Sequence, residues 1–145
     1  MHGGIMLPRA LTCYSLLVAI CCVSGCSEEQ QNAVRQRRDN LAKVGKAYIE
    51  MNSQGASPVN ADELAKWMLE STDAGTRGEA RVSLVEGDVI VNWNGDLNQK
   101  YPLGGFVLAF EAGVPARGGY VVMADGIVQS MSLKEFQEAA MLPAN

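Results

Sequence analysis

Apolar residues recur at helical spacing between Glu28 and Gln54, a stretch that contains no proline. They form two series with a spacing of seven: Val34, Leu41, Tyr48 and Val44, Met51. This pattern predicts a helix with one apolar face. We expect Gly55 to end the helix in a left-handed conformation and Pro58 to prevent it from resuming.

Charged residues fall largely between those apolar positions on the predicted helix. They are Arg35, Arg37, Arg38, Lys43, Lys46 and Glu50. We interpret this cluster as a solvated face rather than as a patch for an anionic partner.

A second, shorter helix is predicted from Asn60 to about Glu70, because Asn60-Ala61-Asp62-Glu63 has the form of a capping box. Trp67 is expected in the core of the domain. Residues 71–79 are polar and contain glycine, and we interpret them as a connection.

Beyond this connection the apolar period changes to two, which is typical of β-strands. Two strands are predicted around a Glu86-Gly87-Asp88 turn. In the first, Val82 and Leu84 alternate with Ser83, and in the second, Val89, Val91 and Trp93 alternate with Ile90 and Asn92. A third strand alternates between two faces, which carry Phe106, Leu108, Phe110 and Val107, Ala109.

The strongest hairpin signal is Asp125-Gly126, which we interpret as a two-residue type I′ turn between strands 120–124 and 127–131. This turn pairs Ala124 with Ile127 and makes the hairpin central, with two apolar faces: Tyr120, Val122, Ala124, Ile127, Met131 on one, and Val121, Met123, Val128 on the other. Asp125 and Gly126 are therefore expected to serve backbone geometry rather than catalysis.

Ser132-Leu133-Lys134-Glu135 is a further capping box and predicts a terminal helical turn or two through Phe136. Helices followed by strands indicate an α+β fold, in which a long N-terminal amphipathic helix packs on a small antiparallel β-sheet.

The N-terminus has the pattern of an export signal. One positive charge, Arg9, precedes an apolar stretch of 13 residues, Leu11–Val23. The stretch is too short for a bilayer-spanning helix, which needs about 20 apolar residues.

The apolar stretch ends in Val23-Ser24-Gly25-Cys26, which resembles the bacterial lipobox. The resemblance implies cleavage between Gly25 and Cys26 and a lipid on the Cys26 thiol. The alternative is an ordinary secretory signal with an incidental cysteine. The predicted organisation is a signal peptide at 1–25, a lipidated tether at 26–33 and a single domain at 34–145.

Composition and charge exclude several function classes. The chain has 145 residues with 12 Lys+Arg against 16 Asp+Glu, a balance that does not favour nucleic-acid binding. All four cysteines lie within the first 26 residues and the one histidine is His2. Nucleophilic triads that need a histidine base are therefore excluded from the processed chain, whereas a Ser-Lys arrangement or a carboxylate pair stays open. We expect no cofactor.

One loop carries oxygen ligands at alternate positions, as hard cations require: Asn92, Asn94, Asp96 and Asn98. The loop contains a single acid and lacks a bidentate glutamate at the right distance. We interpret it as a polar turn and predict no metal site.

The element order resembles that of the soluble heads of type II secretion pseudopilins and type IV pilins, and more closely that of pilin-like proteins of planctomycetes. Two segments carry the resemblance: the helix with Arg38, Asn40-Leu41, Val44-Gly45, Ala47, Gly55 and Pro58, and the hairpin Gly119–Val128. The resemblance implies a pseudopilin-like head.

Two departures from that family bear on function. Pilins keep an apolar helix of about 20 residues, whereas this chain continues from Cys26 into acids and amides, so filament assembly is not expected. Pro115 stands where the planctomycete proteins often have a histidine.

The sequence therefore predicts a lipid-anchored envelope protein, facing the periplasm or the cell surface. Its head is expected to be a monomeric, non-enzymatic module that has a structural role or binds another envelope protein. The alternative is a periplasmic small-ligand-binding protein or a hydrolase that uses carboxylates.

Overall fold

The computed structural model describes residues 14–93, 95, 97–98 and 102–141. The chain divides into two compact units, Met1–Arg35 and Gln36–Asn145. In the first unit the described residues belong to the N-terminal part of helix α1, which covers Tyr14–Ser53. The helix thus begins earlier than the predicted start at Glu28. All further elements belong to the second unit.

The second unit has an α+β fold, which confirms the predicted class. Helices α2 (Ala61–Glu70) and α3 (Gly78–Val85) follow α1. The remaining elements are β1 (Val89–Val91), β2 (Phe106–Glu111), α4 (Val114–Arg117), β3 (Gly119–Met123), β4 (Val128–Met131), α5 (Leu133–Glu138) and β5 (Ala140–Met141).

Strands β1 to β4 are neighbours in sequential order and pair antiparallel, as a small antiparallel sheet requires. The short strand β5 returns to pair parallel with β2, a pairing that the sequence analysis did not predict.

The sheet has a hydrophobic cluster on each face. One cluster joins it to α1, α2 and α3 and includes Leu41, Val44, Tyr48, Leu64, Leu84, Leu108 and Val122. The second cluster joins the other face to α4 and α5 and consists of Val107, Val114, Val121, Met123 and Phe136. The sheet is therefore covered on both faces, which explains why β3 is apolar at nearly every position.

Helix α1 approaches the sheet most closely at Gly45. A Cβ atom at this position would lie 2.6 Å from Cγ1 of Val122 on β3. The absence of a side chain thus permits the close packing of helix and strand, which offsets the cost of a glycine within a helix. At its C-terminal end the helix is followed by Gly55, with φ of +84°, and by the buried Pro58.

Helices α2 and α5 begin at the predicted caps, Asn60 and Ser132, but the predicted capping box is complete only at α5, because Glu63 does not accept from the N–H of Asn60. The side chain of Asn60 accepts a hydrogen bond from the N–H of Glu63 at 2.9 Å. The carboxylate of Glu63 accepts one from the N–H of Val59. At α5, Ser132 and Glu135 form the complete reciprocal box. Trp67 of α2 is only half-buried at the edge of the first cluster, so its assignment to the core was too strong.

The predicted strand at Val82 and Leu84 is wrong, because these residues lie in α3. The buried residues of this segment are Ala80 and Leu84, which are four positions apart, as on one helix face. The expected turn at residues 86–88 is instead the C-terminal cap of α3. Gly87 has φ of +82°, and the N–H groups of Gly87 and Asp88 donate to the carbonyls of Leu84 and Ser83.

The predicted face of Phe110 is also wrong. The register between β2 and β3 shifts between Val107 and Ala109, which inserts an extra residue into β2. Such a bulge interrupts the alternation of side chains. Leu108 and Ala109 both pack in the first cluster, and Phe110 packs against Phe136 of the second with ring centroids 4.9 Å apart.

The β3–β4 hairpin forms through three residues rather than two. The N–H of Met123 donates to the carbonyl of Ile127, and the N–H of Gly126 donates to the carbonyl of Met123. Gly126 has φ of +87°. This is the pattern of a turn followed by a left-handed residue, so the predicted type I′ turn and the pairing of Ala124 with Ile127 are wrong.

The additional loop residue moves the side chains of β4 to the opposite faces from those predicted. Val128 packs in the first cluster and Met131 in the second, while Ile127 is 60% exposed. A shift of one residue has this effect because side chains alternate with a period of two. Within the described part of the chain β4 pairs only with β3, so the hairpin is not central.

Candidate functional site

The oxygen-rich loop predicted as the weak metal candidate is described only in part. Asn94 and Asp96 lie outside the described residues, and Asn98 is exposed. The backbone N–H of Asn92 donates to the carbonyl of Leu108 at 2.8 Å. Over the described residues, no group of three or more His, Cys, Asp or Glu side chains is placed to hold a metal ion.

The same loop is attached to α1 through Tyr48. Its hydroxyl donates to the carbonyl of Gly95 at 3.4 Å, and its ring lies 6.3 Å from that of Trp93. Tyr48 is fully buried, and burial raises the pKa of its hydroxyl. The tyrosine thus acts as a neutral donor that connects the loop to the helix.

The predicted cleavage and lipidation residues lie in the first of the two units. Gly25 and Cys26 belong to the backbone of α1, and the side chain of Cys26 lies outside the described part of the structure. Among the helices of the described residues, none combines the length and apolarity needed to cross a bilayer.

Asp125 lies at the exposed tip of the β3–β4 hairpin, where its carboxylate has two neighbours. Oδ1 accepts a hydrogen bond from the N–H of Ile127 at 3.0 Å. A Cβ atom at Gly104 would lie 2.6 Å from Oδ2, so this glycine allows the loop Leu103–Gly105 to approach the turn. Asp125 therefore has a local role in the turn.

We expect Gly126→Val to reduce the free energy of unfolding by about 1–3 kcal/mol, because a β-branched residue is strained at positive φ. A Cβ atom there would also lie 3.3 Å from Cδ1 of Ile49. Asp125→Asn should be nearly neutral, since an amide oxygen can accept the same hydrogen bond. Urea denaturation of both variants checks this, and a harmless Gly126→Val would contradict the turn geometry.

An arginine that the sequence analysis did not single out is buried next to α1. The side chain of Arg77 is only 4% exposed. Its Nη2 lies 2.6 Å from a carboxylate oxygen of Glu50, its Nη1 donates to Ser71 at 3.2 Å, and its guanidinium lies 5.2 Å from the ring centre of Trp67. Arg77 thereby connects α1 with α2 and with the segment before α3.

The interaction with Arg77 alters the ionisation of Glu50. Burial alone would raise the pKa of this carboxyl, but the hydrogen bond and charge of Arg77, with help from Lys46, hold its pKa below the ordinary value. Glu50 is thus only partly exposed and contacts a buried residue of the second unit, which corrects its assignment to the solvated face. No sequence pattern distinguishes Arg77, because its burial depends on three separate segments.

An open cleft of about 190 Å³ lies between α1, the C-terminal end of α3 and the β2–α4 connection. Its polar lining consists of Arg37, Asn40, Ser83, Asp88, Glu111 and Arg117. Arg37 is exposed, as predicted for the charged face of α1, and it lines the cleft together with residues up to 80 positions away. We take this cleft as the candidate site.

The buried polar residue of the cleft lining is Asn40, of which only 6% is exposed. Its amide nitrogen donates to the hydroxyl of Ser83 at 3.0 Å, and its amide oxygen accepts from Gln36 at 3.2 Å. Both functional atoms of the amide are therefore satisfied. Gln36 also donates to a carboxylate oxygen of Glu79, which extends the network along α1 and α3.

The walls of the cleft carry charges of both signs that do not pair with each other. Within the described chain neither Arg37 nor Arg117 forms an ion pair, and neither do Asp88 and Glu111. The chemistry available is the binding of charged groups. The Ser83 hydroxyl has an amide rather than a base as its hydrogen-bond partner, so this arrangement does not activate a nucleophile.

No protein-family model matches this chain, and neither the curated proteins nor the solved structures contain a match to it.

Proposed function

We propose that this protein is a membrane-anchored envelope lipoprotein whose pseudopilin-like domain has a structural or protein-interaction role. The observation that carries the proposal is the apolar stretch Leu11–Val23, which is followed directly by two small residues, Ser24 and Gly25, and by Cys26. The polar residues after Cys26 support it, because they would not enter hydrocarbon.

The arrangement of α1 on the sheet supports the pseudopilin-like part of the proposal. The two segments that carry the resemblance contribute Gly45 and Val122, which lie in direct contact between α1 and β3. A head of this kind presents a helix on an antiparallel sheet, and its surface includes polar loops and the open cleft. Such a surface suits recognition of another envelope protein.

The processed chain favours a non-enzymatic role. Cleavage before Cys26 would remove His2 and three of the four cysteines. Ser83, the hydroxyl residue of the cleft lining, has the amide of Asn40 as its hydrogen-bond partner rather than a base.

We expect Cys26→Ser to abolish labelling of the protein by radioactive palmitate and to leave residues 1–25 attached, because the thiol is the lipid acceptor. The matched control is Cys22→Ser, which changes another thiol within the apolar stretch and should be labelled and cleaved normally. The proposal would be contradicted if the Cys26→Ser protein were still cleaved before residue 26 and still recovered with the membranes. The protein should stay with the membranes only when lipidated, because stable anchoring requires more than one acyl chain.

A chain that begins at Glu28 is expected to be a monomer in solution, because the apolar face of α1 within Gln36–Ser53 is covered by its own sheet. Sedimentation equilibrium checks this. Filaments or stable large oligomers would contradict it and would favour a pilin-like assembly.

A further inference from the structure

We propose that the cleft binds a small zwitterion with one carboxylate and one ammonium group, such as a free α-amino acid. The proposal goes beyond the lipoprotein function and does not depend on it. It rests on two arginines and two acidic residues that line one open cleft, none of which forms an ion pair within the described chain.

Arg117 is an exposed residue whose guanidinium lies against Gly113, at the edge of the cleft. A Cβ atom at Gly113 would lie 2.7 Å from Nη2 of Arg117 and 2.9 Å from its Cζ, so the guanidinium packs against the backbone of that glycine. Arg37 lines the same cleft from α1. Guanidinium groups bind carboxylates through paired N–H donors, so both arginines can contact the carboxylate of a ligand.

Glu111 is an acidic residue of the cleft lining, and its carboxylate contacts the backbone of β3. Its Oε2 accepts a hydrogen bond from the N–H of Tyr120 at 3.1 Å, and a Cβ atom at Gly119 would lie 2.9 Å from the same oxygen. Asp88, the last residue of the α3 cap, is the second acidic residue of the lining. These two groups are acceptors for an ammonium ion.

The mixture of charges decides the class of ligand. A phosphate or another dianion would be repelled by Asp88 and Glu111, and a simple cation would be repelled by Arg37 and Arg117. A molecule with both charges satisfies both sets. The cleft, at about 190 Å³, is smaller than the roughly 300–1,000 Å³ of sites for drug-sized ligands, which fits a ligand the size of an amino acid.

The test is a titration of the full ¹⁵N-labelled chain in detergent, followed by amide NMR. L-alanine should cause saturable shifts at Ser83 and Gly113, with a Kd of about 1 mM or tighter. Acetate and methylammonium, which each carry only one of the two charges, should bind about tenfold more weakly or worse at matched ionic strength.

Variants locate the site. Arg117→Gln and Glu111→Gln should each weaken L-alanine binding by about tenfold, while unchanged spectra elsewhere show that the fold is intact. Lys134→Gln is the control, because Lys134 is an exposed cation outside the cleft lining. The absence of saturable shifts, equal binding of acetate, or an equal loss in Lys134→Gln would overturn the proposal.

Discussion

We expect Gly118→Ala to lower the free energy of unfolding by about 3 kcal/mol or more, because the backbone at this position excludes any side chain. Gly118 ends α4 with φ of +76° and ψ of 177°, a region that is essentially restricted to glycine. A Cβ atom would lie 2.6 Å from the carbonyl oxygen of Met131 and 2.9 Å from the nitrogen of Leu133. These are backbone atoms of the β4–α5 connection, which cannot move aside as a flexible side chain would.

Two further glycine substitutions show how much of the expected loss of stability at Gly118 comes from the steric clash and how much from the positive φ. Gly87 has φ of +82°, but a Cβ atom there would have no neighbour within 4 Å, so Gly87→Ala should cost only about 1 kcal/mol. Gly78 begins α3 without positive φ or close neighbours, and Gly78→Ala should be neutral or slightly stabilising. Guanidinium denaturation of the three variants gives the comparison. If Gly118→Ala cost no more than Gly87→Ala, the close approach of the backbones would be refuted.

We expect Arg77→Met to cost about 2–3 kcal/mol at neutral pH, since the buried guanidinium makes several interactions that a thioether cannot replace. The variant loses the ion pair with Glu50 and the hydrogen bond to Ser71, while the methionine retains part of the packing against Trp67. Glu50 keeps 34% of its side chain exposed, so water partly compensates the lost partner and the expected cost stays below that of a fully buried pair.

The cost of Arg77→Met should depend on pH. The pKa of Glu50 is lower in the folded protein than its ordinary value of 4.5, so the native state binds this proton less readily than the unfolded state. The resulting stabilisation is fully present above pH 4.5 and is lost as the pH falls through the lower native pKa. The difference between wild type and variant should therefore be largest at neutral pH and should shrink in acid.

Lys134→Met is the matched control for Arg77→Met. Lys134 pairs with Glu138 at 3.9 Å, but its side chain is 84% exposed, and we expect a change close to zero at every pH. Denaturation curves at several pH values measure both variants. A difference for Arg77→Met that does not vary with pH would show that packing rather than the ion pair with Glu50 stabilises this region.

Features that depend on neighbouring residues could be predicted from the sequence. Asn60 and Ser132 begin helices where their side chains can accept hydrogen bonds from N–H groups three residues ahead, and Gly55 follows α1 in a left-handed conformation. These signals act within one turn of the chain, so they can be read from a few adjacent residues. The α+β class followed from the same local patterns.

The sequence was misleading where one segment fitted both a strand pattern and a helix pattern. Val82 and Leu84 alternate over only three positions, which fits a strand, but Ala80 and Leu84 fit one face of a helix equally well. The segment forms a helix because Ala80 and Leu84 are both buried in the cluster that includes residues of α2 and the sheet. Intrinsic preference is weak over so few residues, and tertiary contacts override it.

The side-chain orientation in β2 and β4, the burial of Arg77 and the existence of the cleft all depend on tertiary contacts. An additional residue in β2 and another in the hairpin loop each reverse the faces that follow, although the apolar alternation in the sequence remains unchanged. The cleft brings Arg37, Asp88 and Glu111 together from three separate segments. Such arrangements depend on contacts between residues far apart in the chain, which no local pattern contains.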